Sequence, residues 1–263
     1  MPEGDTIFRT ARNLRPTLEG RRIDDARSRR PDLDLDRLQG QQVPSIETRG
    51  KHLLMHLENG HVIHSHMGMT GSWHTYAVGE KWQKPESRAD LVLVVESRVC
   101  VCFTPKTLEL LSPLAFRQHE HLRNLGPDLL RDPFDMEEAL RRFRASNHLP
   151  LGQAVMDQRI VCGIGNIYKS ELLFLERMDP FGEVARLEDD RLRGLLERAR
   201  RLMRRNCGDA PRQTRFGRGG SLLWVYDRQG QACFQCGGVI SMRHQGDLGR
   251  STYWCPACQG PSL

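Results

Sequence analysis

Nothing in the 263-residue chain approaches the ~20 consecutive apolar residues that a membrane helix needs, and its N-terminus lacks the charged-then-apolar layout of a signal peptide. Both absences predict a soluble, cytoplasmic protein with no membrane partner. No internal repeat and no low-complexity block is present. Lysine is scarce: Lys+Arg exceed Asp+Glu by 39 to 33, a formal +6 with a pI near 9.0, and the basic side is almost entirely arginine. That balance favours a polyanionic partner, with bidentate phosphate contacts rather than simple charge neutralisation. A disulfide framework is missing too. Of eight cysteines, four form two Cys-x-x-Cys pairs near the C-terminus, while Cys100, Cys102, Cys162 and Cys207 lie singly in apolar or helical settings. Such usage fits a reducing compartment and a metal.

What is present begins with Met1-Pro2-Glu3-Gly4-Asp5. A small second residue permits removal of Met1, and the new terminus would be a proline amine beside a carboxylate. An α-amine has an unperturbed pKa of ~7.7–8.0 and is partly unprotonated at neutral pH, unlike a lysine amine at ~10.4. A secondary amine attacking C1′ of a deoxyribose gives an iminium ion, and Glu3 can shuttle the protons of ring opening. The same residues also read as a plain chain start before a helix capped by Asp5 or Thr6.

Ile7, Ala11, Leu14 and Leu18 recur at helical spacing, and Pro16 places the end of that helix at Arg15. Residues 51–57 and 62–67 read as strands joined by an Asn59-Gly60 turn, and 91–95 and 99–103 as a second hairpin rich in β-branched residues. The first half is thus expected to be an antiparallel sandwich. Around Leu125-Gly126-Pro127-Asp128 the pattern changes to helices, at 136–145, 151–158, 167–177 and 188–206, the last stopped by Gly208.

Cys233-x-x-Cys236, eighteen residues, then Cys255-x-x-Cys258 suits a tetrahedral zinc on a short β-hairpin. Four thiolates leave no open position, so such a zinc is structural. Cys162-Gly163-Ile164-Gly165-Asn166 puts Asn166 at a helix start, either as its cap or where backbone N–H groups favour a phosphate. Lys51 follows Gly50 at a strand edge, where it reaches a phosphate, moves a proton or simply stays solvated. Met69, in a glycine-flexible turn, suits a wedge between base pairs or a loop methionine. His64 and His66 share a strand face, but no carboxylate or third ligand stands near them in sequence to complete a metal site. Arginines at 141–142 and 198–205 read as a solvated helical face, and Arg212, Arg215 and Arg218 as better DNA contacts.

Taken in order, Met1-Pro2-Glu3, Arg49-Gly50-Lys51, Gly163-Ile164-Gly165-Asn166 and Tyr253-Trp254-Cys255-Pro256-Ala257-Cys258 resemble the formamidopyrimidine-DNA glycosylase and endonuclease VIII superfamily, with likeness running from Met1 to Cys258. The resemblance implies an α+β fold. An N-terminal antiparallel β-sandwich with flanking helices (1–126) would carry catalysis, a helix-two-turn-helix domain (127–220) would bind DNA, and a zinc-finger hairpin would occupy 221–263. It also implies roles: Pro2 the imine-forming nucleophile, Glu3 the general acid/base, Lys51 the proton donor and phosphate contact in β-elimination, and Arg250 the finger residue assisting δ-elimination. Asn166 would hold the phosphate beside a flipped nucleotide, Met69 would fill the vacated stack, and Arg123 would be a further DNA contact. One structural zinc on Cys233, Cys236, Cys255 and Cys258 and damaged double-stranded DNA are the implied cofactor and partner, with the protein expected to be a monomer.

Glu3-Gly4-Asp5 resembles the endonuclease VIII branch, whereas the oxidised-purine branch opens Glu-Leu-Pro-Glu, so oxidised pyrimidines are the expected lesions. That purine branch carries an arginine and a phenylalanine where this chain has Thr104-Pro105-Lys106-Thr107-Leu108. The expected activity is a bifunctional glycosylase and AP lyase of base-excision repair. An oxidised-purine glycosylase and a catalytically silent zinc-containing DNA-binding protein are the alternatives.

Overall fold

The computed structural model describes residues 2–217 and 219–260; Met1, on whose removal the imine chemistry depends, and Arg218 of the glycine-rich loop lie outside them. Two units divide the chain: Pro2 clusters with residues 6–124, and Glu3–Asp5 cluster with the residues from Leu125 onward.

The amphipathic spacing produces α1 (Gly4–Leu18), which belongs to the first unit from Thr6 on and whose Ile7, Ala11, Leu14 and Leu18 are buried. Pro16 does not end the helix at Arg15. So near the C-terminal end a proline deletes one amide bond to the preceding turn, and Leu18, fully buried, anchors the last residues. Eight strands follow: β1 (Asp25–Arg27), β2 (Ser45–Arg49), β3 (His52–His56), β4 (Val62–His66), β5 (Ser72–Ala77), β6 (Ala89–Val95), β7 (Arg98–Phe103) and β8 (Thr107–Leu111). They form two four-stranded sheets, ordered β1-β6-β7-β5 and β2-β3-β4-β8, with every pairing antiparallel.

Period-two alternation explains the layers. Leu91, Leu93 and Val95 from one sheet and Leu53, Met55 and Ile63 from the other join α1 in one buried cluster, while Val92, Val99 and Val101 face outward under Tyr76, Phe103 and Trp82. Truncating a core leucine such as Leu93 to alanine costs roughly 2–5 kcal/mol. Both expected hairpins form, with Gly60 at φ 81°. Strands β1, β2, β5 and β8 escaped the sequence reading because they are short or half-exposed; β2 buries only Ile46. Two short helices, α2 (Pro113–Gln118) and α3 (Glu120–Arg123), close this unit.

The second unit holds α4 (Met136–Ala145), α5 (Leu151–Ala154), α6 (Asn166–Leu175), α7 (Asp189–Arg205) and the hairpin β9 (Ser241–Gln245) and β10 (Arg250–Trp254). Leu192, Leu195, Leu196, Ala199, Leu202 and Met203 of α7 pack with Tyr168, Leu172 and Leu173 of α6 in one core. Gly208 does not stop α7: the helix ends at Arg205 and is capped by Asn206, whose side-chain amide donates to Leu202 O and Gln213 O. The 151–158 helix shortens to one turn, with the chain turning back at Asp157.

Candidate active site

Glu3 is fully buried, and its carboxylate accepts the N–H groups of Gly165 (2.8 Å), Ile167 (2.8 Å) and Tyr168 (3.3 Å) at the start of α6. It fills the role the sequence reading left open for Asn166, since a helix N-terminus presents unpaired donors and positive potential. Two glycines make room for this carboxylate. A Cβ on Gly165 would lie 2.5 Å from Glu3 Cδ, and one on Gly4 would lie 2.7 Å from Met203 Cε and 3.1 Å from Gly163 Cα. Gly4 N also donates to Gly163 O at 2.9 Å. The spacings of Glu3-Gly4 and Gly163-Ile164-Gly165 are thus two halves of one close approach.

Asp5, also buried, receives Arg212 in a bidentate bond (Nε to Oδ2, 2.7 Å) and the Tyr168 hydroxyl at 3.1 Å. Arg212 lies 3.8 Å from Glu3 as well. Burial opposes the Arg212 charge, but the Asp5 bond and the Glu3 charge raise its pKa on balance, and burial followed by Asp5 raises that of the Tyr168 phenol. Arg212 therefore corrects the expectation that it contacts DNA: it braces the chain's opening residues. Arg215 likewise donates to Gly219 O and stacks on Phe234.

Asn166 is the first residue of α6, with Gly165 as its cap; Nδ2 donates to Ser251 Oγ at 3.1 Å, and the buried Oδ1 has no hydrogen-bond partner. Arg250, at the start of β10, keeps a buried Nε without a partner. One turn along α6 is Lys169, 1% exposed, donating to Thr252 Oγ1 (2.8 Å) and Ser251 O (3.1 Å). Burial, and then the Arg250 charge, lower the Lys169 pKa to about 7. Lys169 and Arg250 line a cavity of about 410 Å³ with Gln153, Met156, Gln245 and Leu248. Two basic side chains lining one cavity, one of them with an unpartnered N–H donor at Arg250 Nε, suit an anion.

In the first unit Pro2 is half-buried, and Lys51 lies in the turn between β2 and β3 after Gly50 (φ 55°). Burial, then the charges of Lys106 and Lys51, lower His66 to about 4, so the two cations share one neighbourhood. Met69 is 72% exposed on a turn held by Gly71 N to Met67 O (3.0 Å) and Lys106 N to His66 O (2.9 Å). Arg123 is exposed at the end of α3. The helical arginines are largely paired: Arg141 and Arg142 with Glu138, Arg200 and Arg204 with Asp132.

The four cysteine sulfurs lie within 4.8 Å of one another, with Cys233–Cys258 at 3.9 Å and Cys236–Cys255 at 3.5 Å. Zn–S bonds of ~2.3 Å set the sulfurs of a tetrahedron about 3.8 Å apart, so this donor set fits zinc and closes its coordination. Cys233 and Cys255 pack with Phe174 of α6, Val225 and Ile240.

The sequence profile of the formamidopyrimidine-DNA glycosylase N-terminal domain matches residues 1–106, and that of the formamidopyrimidine-DNA glycosylase H2TH domain matches residues 125–214. The chain belongs to the formamidopyrimidine-DNA glycosylase family. Among relatives of this family, it is 39% identical to a probable endonuclease 8 2 of Streptomyces coelicolor over all of its own length and 95% of the relative's. It is 36% identical to the DNA-(apurinic or apyrimidinic site) lyase Nei2 of Mycolicibacterium smegmatis, with both chains covered completely. The solved MutM (Fpg) protein from Thermus thermophilus superposes with a TM-score of 0.81 at 28% identity, again over the whole of both chains. The fold is the family's: an N-terminal β-sandwich, a helical H2TH domain and a zinc-finger-like four-cysteine cluster. The sequence reading missed Asp5, Tyr168 and Lys169, whose partners lie far along the chain; the one signal was a lone lysine in the first turn of the helix that follows Gly165.

Proposed function

We propose that the chain is a bifunctional DNA glycosylase and AP lyase that excises oxidised pyrimidines from duplex DNA through an N-terminal proline imine. Its class follows from its family: it is a DNA glycosylase with AP lyase activity, an enzyme of base-excision repair. The observation that carries the finer reading is the anchoring of Glu3. The residue covalently next to the Pro2 nitrogen has its carboxylate held by three backbone donors at a helix start, which preorganises a proton-transfer group beside the nucleophile.

Removal of Met1 frees the Pro2 amine. A damaged base stacks and pairs weakly, which favours its extrusion. Pro2 nitrogen bonds to C1′ as the base departs with the C1′–N bond pair, and Glu3 takes the proton that the Pro2 nitrogen sheds and passes it to the opening ring oxygen. The iminium acidifies the C2′ hydrogen; its loss expels the 3′ phosphate, with Lys51 as proton donor and phosphate contact, and a second elimination, assisted by Arg250, expels the 5′ phosphate. Asn166 binds the neighbouring phosphate: turning its amide lets Oδ1 accept from Ser251 Oγ–H and aims Nδ2 outward as a donor. Met69 fills the space of the extruded base, and Arg123 adds a backbone contact. Cys233, Cys236, Cys255 and Cys258 would hold a zinc that orders the finger, residues 221–263, and takes no part in bond making.

The pyrimidine preference rests on Glu3-Gly4-Asp5 and on relatives named endonuclease 8. Borohydride trapping on duplexes containing an abasic site, thymine glycol or 8-oxoguanine tests both levels. A covalent adduct with the mature protein that is absent or sharply weaker in Pro2→Gly, formed faster on thymine glycol than on 8-oxoguanine, is the expected result. A preference for 8-oxoguanine would reassign the lesion. Absence of any adduct, with Met1 removed and DNA bound, would leave a silent DNA-binding protein.

A further inference from the structure

His64 occupies the middle of β4 and is 1% exposed, an expensive place for an imidazole without partners. Its Nε2 meets His52 Nδ1 at 2.8 Å. Its Nδ1, by contrast, is a buried polar atom with no hydrogen-bond partner, although a Glu109 carboxylate oxygen lies 3.5 Å away. Glu109 faces His64 across the β4–β8 register, and the same oxygen lies 3.2 Å from His119 Nε2. No sequence pattern signals this: forty-five residues separate His64 from Glu109, and a tight turn of helix brings His119 back. One atom from each of the three residues falls within 4.8 Å of the others.

We propose that His64 Nδ1, Glu109 and His119 Nε2 form a site for a divalent first-row transition ion of the zinc class, distinct from the four-cysteine cluster of the other unit. Metal bonds of ~2.0–2.2 Å to nitrogen and oxygen separate tetrahedral ligand atoms by about 3.4 Å, and the two distances to Glu109 bracket that value. Two imidazoles with one carboxylate are an ordinary borderline donor set, and three protein ligands leave a fourth position for water. The protons balance. Coordination at His64 Nδ1 leaves its proton on Nε2, which donates to His52 Nδ1 and fixes the ring. Coordination at His119 Nε2 moves that ring's proton to Nδ1, so the contact in which Leu122 N–H now donates to Nδ1 at 3.3 Å opens. The ion would tie β4, β8 and the start of α3 together, exchanging one long cap contact for a coordinate bond.

The test titrates Co²⁺ into the full chain, expressed without a histidine tag and with its cysteine site already filled by Zn²⁺. The expected result is saturation at about one further equivalent, with visible d–d bands and no sulfur-to-metal charge transfer. The Leu122 amide resonance should shift on saturation. Glu109→Gln, which preserves shape, and His119→Ala should each weaken binding at least about tenfold, while the urea midpoint of Glu109→Gln without metal confirms an intact fold. Failure to bind stoichiometrically, bands carrying thiolate charge transfer, or unchanged affinity in both variants would overturn the site. The readout needs no DNA and stands or falls independently of the repair activity.

Discussion

Lys169 is a residue whose protonation responds strongly to its surroundings. Its pKa falls from 10.5 to about 7 through burial and the Arg250 charge, against the opposing pull of Glu3. Between pH 7 and 10.5 the unfolded chain holds a proton here that the folded chain has released. Stability therefore rises with pH across that window and flattens below it, where both states carry the charge. Lys169→Met should remove this contribution, so that its urea midpoint changes less between about pH 7 and about pH 9 than the wild type's. Equal changes in both proteins would show that Lys169 does not titrate as placed. Arg212 is the opposite case, a cation that burial cannot neutralise because Asp5 grips it. Arg212→Met leaves a buried carboxylate with its bidentate partner gone, and breaking such a pair typically costs ~3–5 kcal/mol. A loss within the error of urea denaturation would mean that Asp5 finds water or another donor.

At the level of elements, α6 organises the second unit from its start and its middle. Its N-terminus takes Glu3, while Glu171 within it accepts the N–H groups of Trp224 (2.7 Å), Val225 (2.8 Å) and Tyr226 (2.8 Å) and the Thr214 hydroxyl. Burial raises the Glu171 pKa, and those four bonds work against the rise. Glu171→Ala orphans three amides at ~1–3 kcal/mol each if they stay buried, so hydrogen exchange should show 214–226 opening locally while β3 to β7 stay protected. Uniform loss of protection would place the latch elsewhere. The α6 latch was illegible in the sequence, because Glu171 looks like any helical glutamate until the loop folds over it. By contrast, α4 was read to the residue, since Asp135 caps it and its apolar face is regular. The hairpins were legible from turn chemistry and β-branching; β2 and β8, half polar, were not. The cysteines, the glycine turn and the opening Pro2-Glu3 were legible as candidates because each pattern is local, whereas Asp5–Arg212 and Glu109–His119 exist only through tertiary contact.

For the molecule as a whole, the 39 basic residues overstate the free positive surface, because arginines on α4 and α7 are held by Glu138, Asp132, Glu176 and Glu137. In the second unit Asn166, Lys169 and Arg250 are all tied to β10 or lie on it, and β10 leads directly into Cys255 of the four-cysteine cluster. The finger is continuous with the second unit's packing through Phe174, Val225 and Ile240, so losing the metal should be felt at Arg250 before it is felt in the β-sandwich. Cys255→Ser tests this more cleanly than a chelator, which would strip any histidine-bound ion as well. The variant should lose about one equivalent of zinc, since metal binding and ordering of such a module are one equilibrium. Hydrogen exchange should rise across β9 and β10, the β3–β4 and β6–β7 hairpins should keep their protection, and borohydride trapping on abasic DNA should drop sharply. Retained zinc with undiminished trapping would separate the finger from catalysis. Collapse of the sandwich along with the finger would show that the two units do not fold independently.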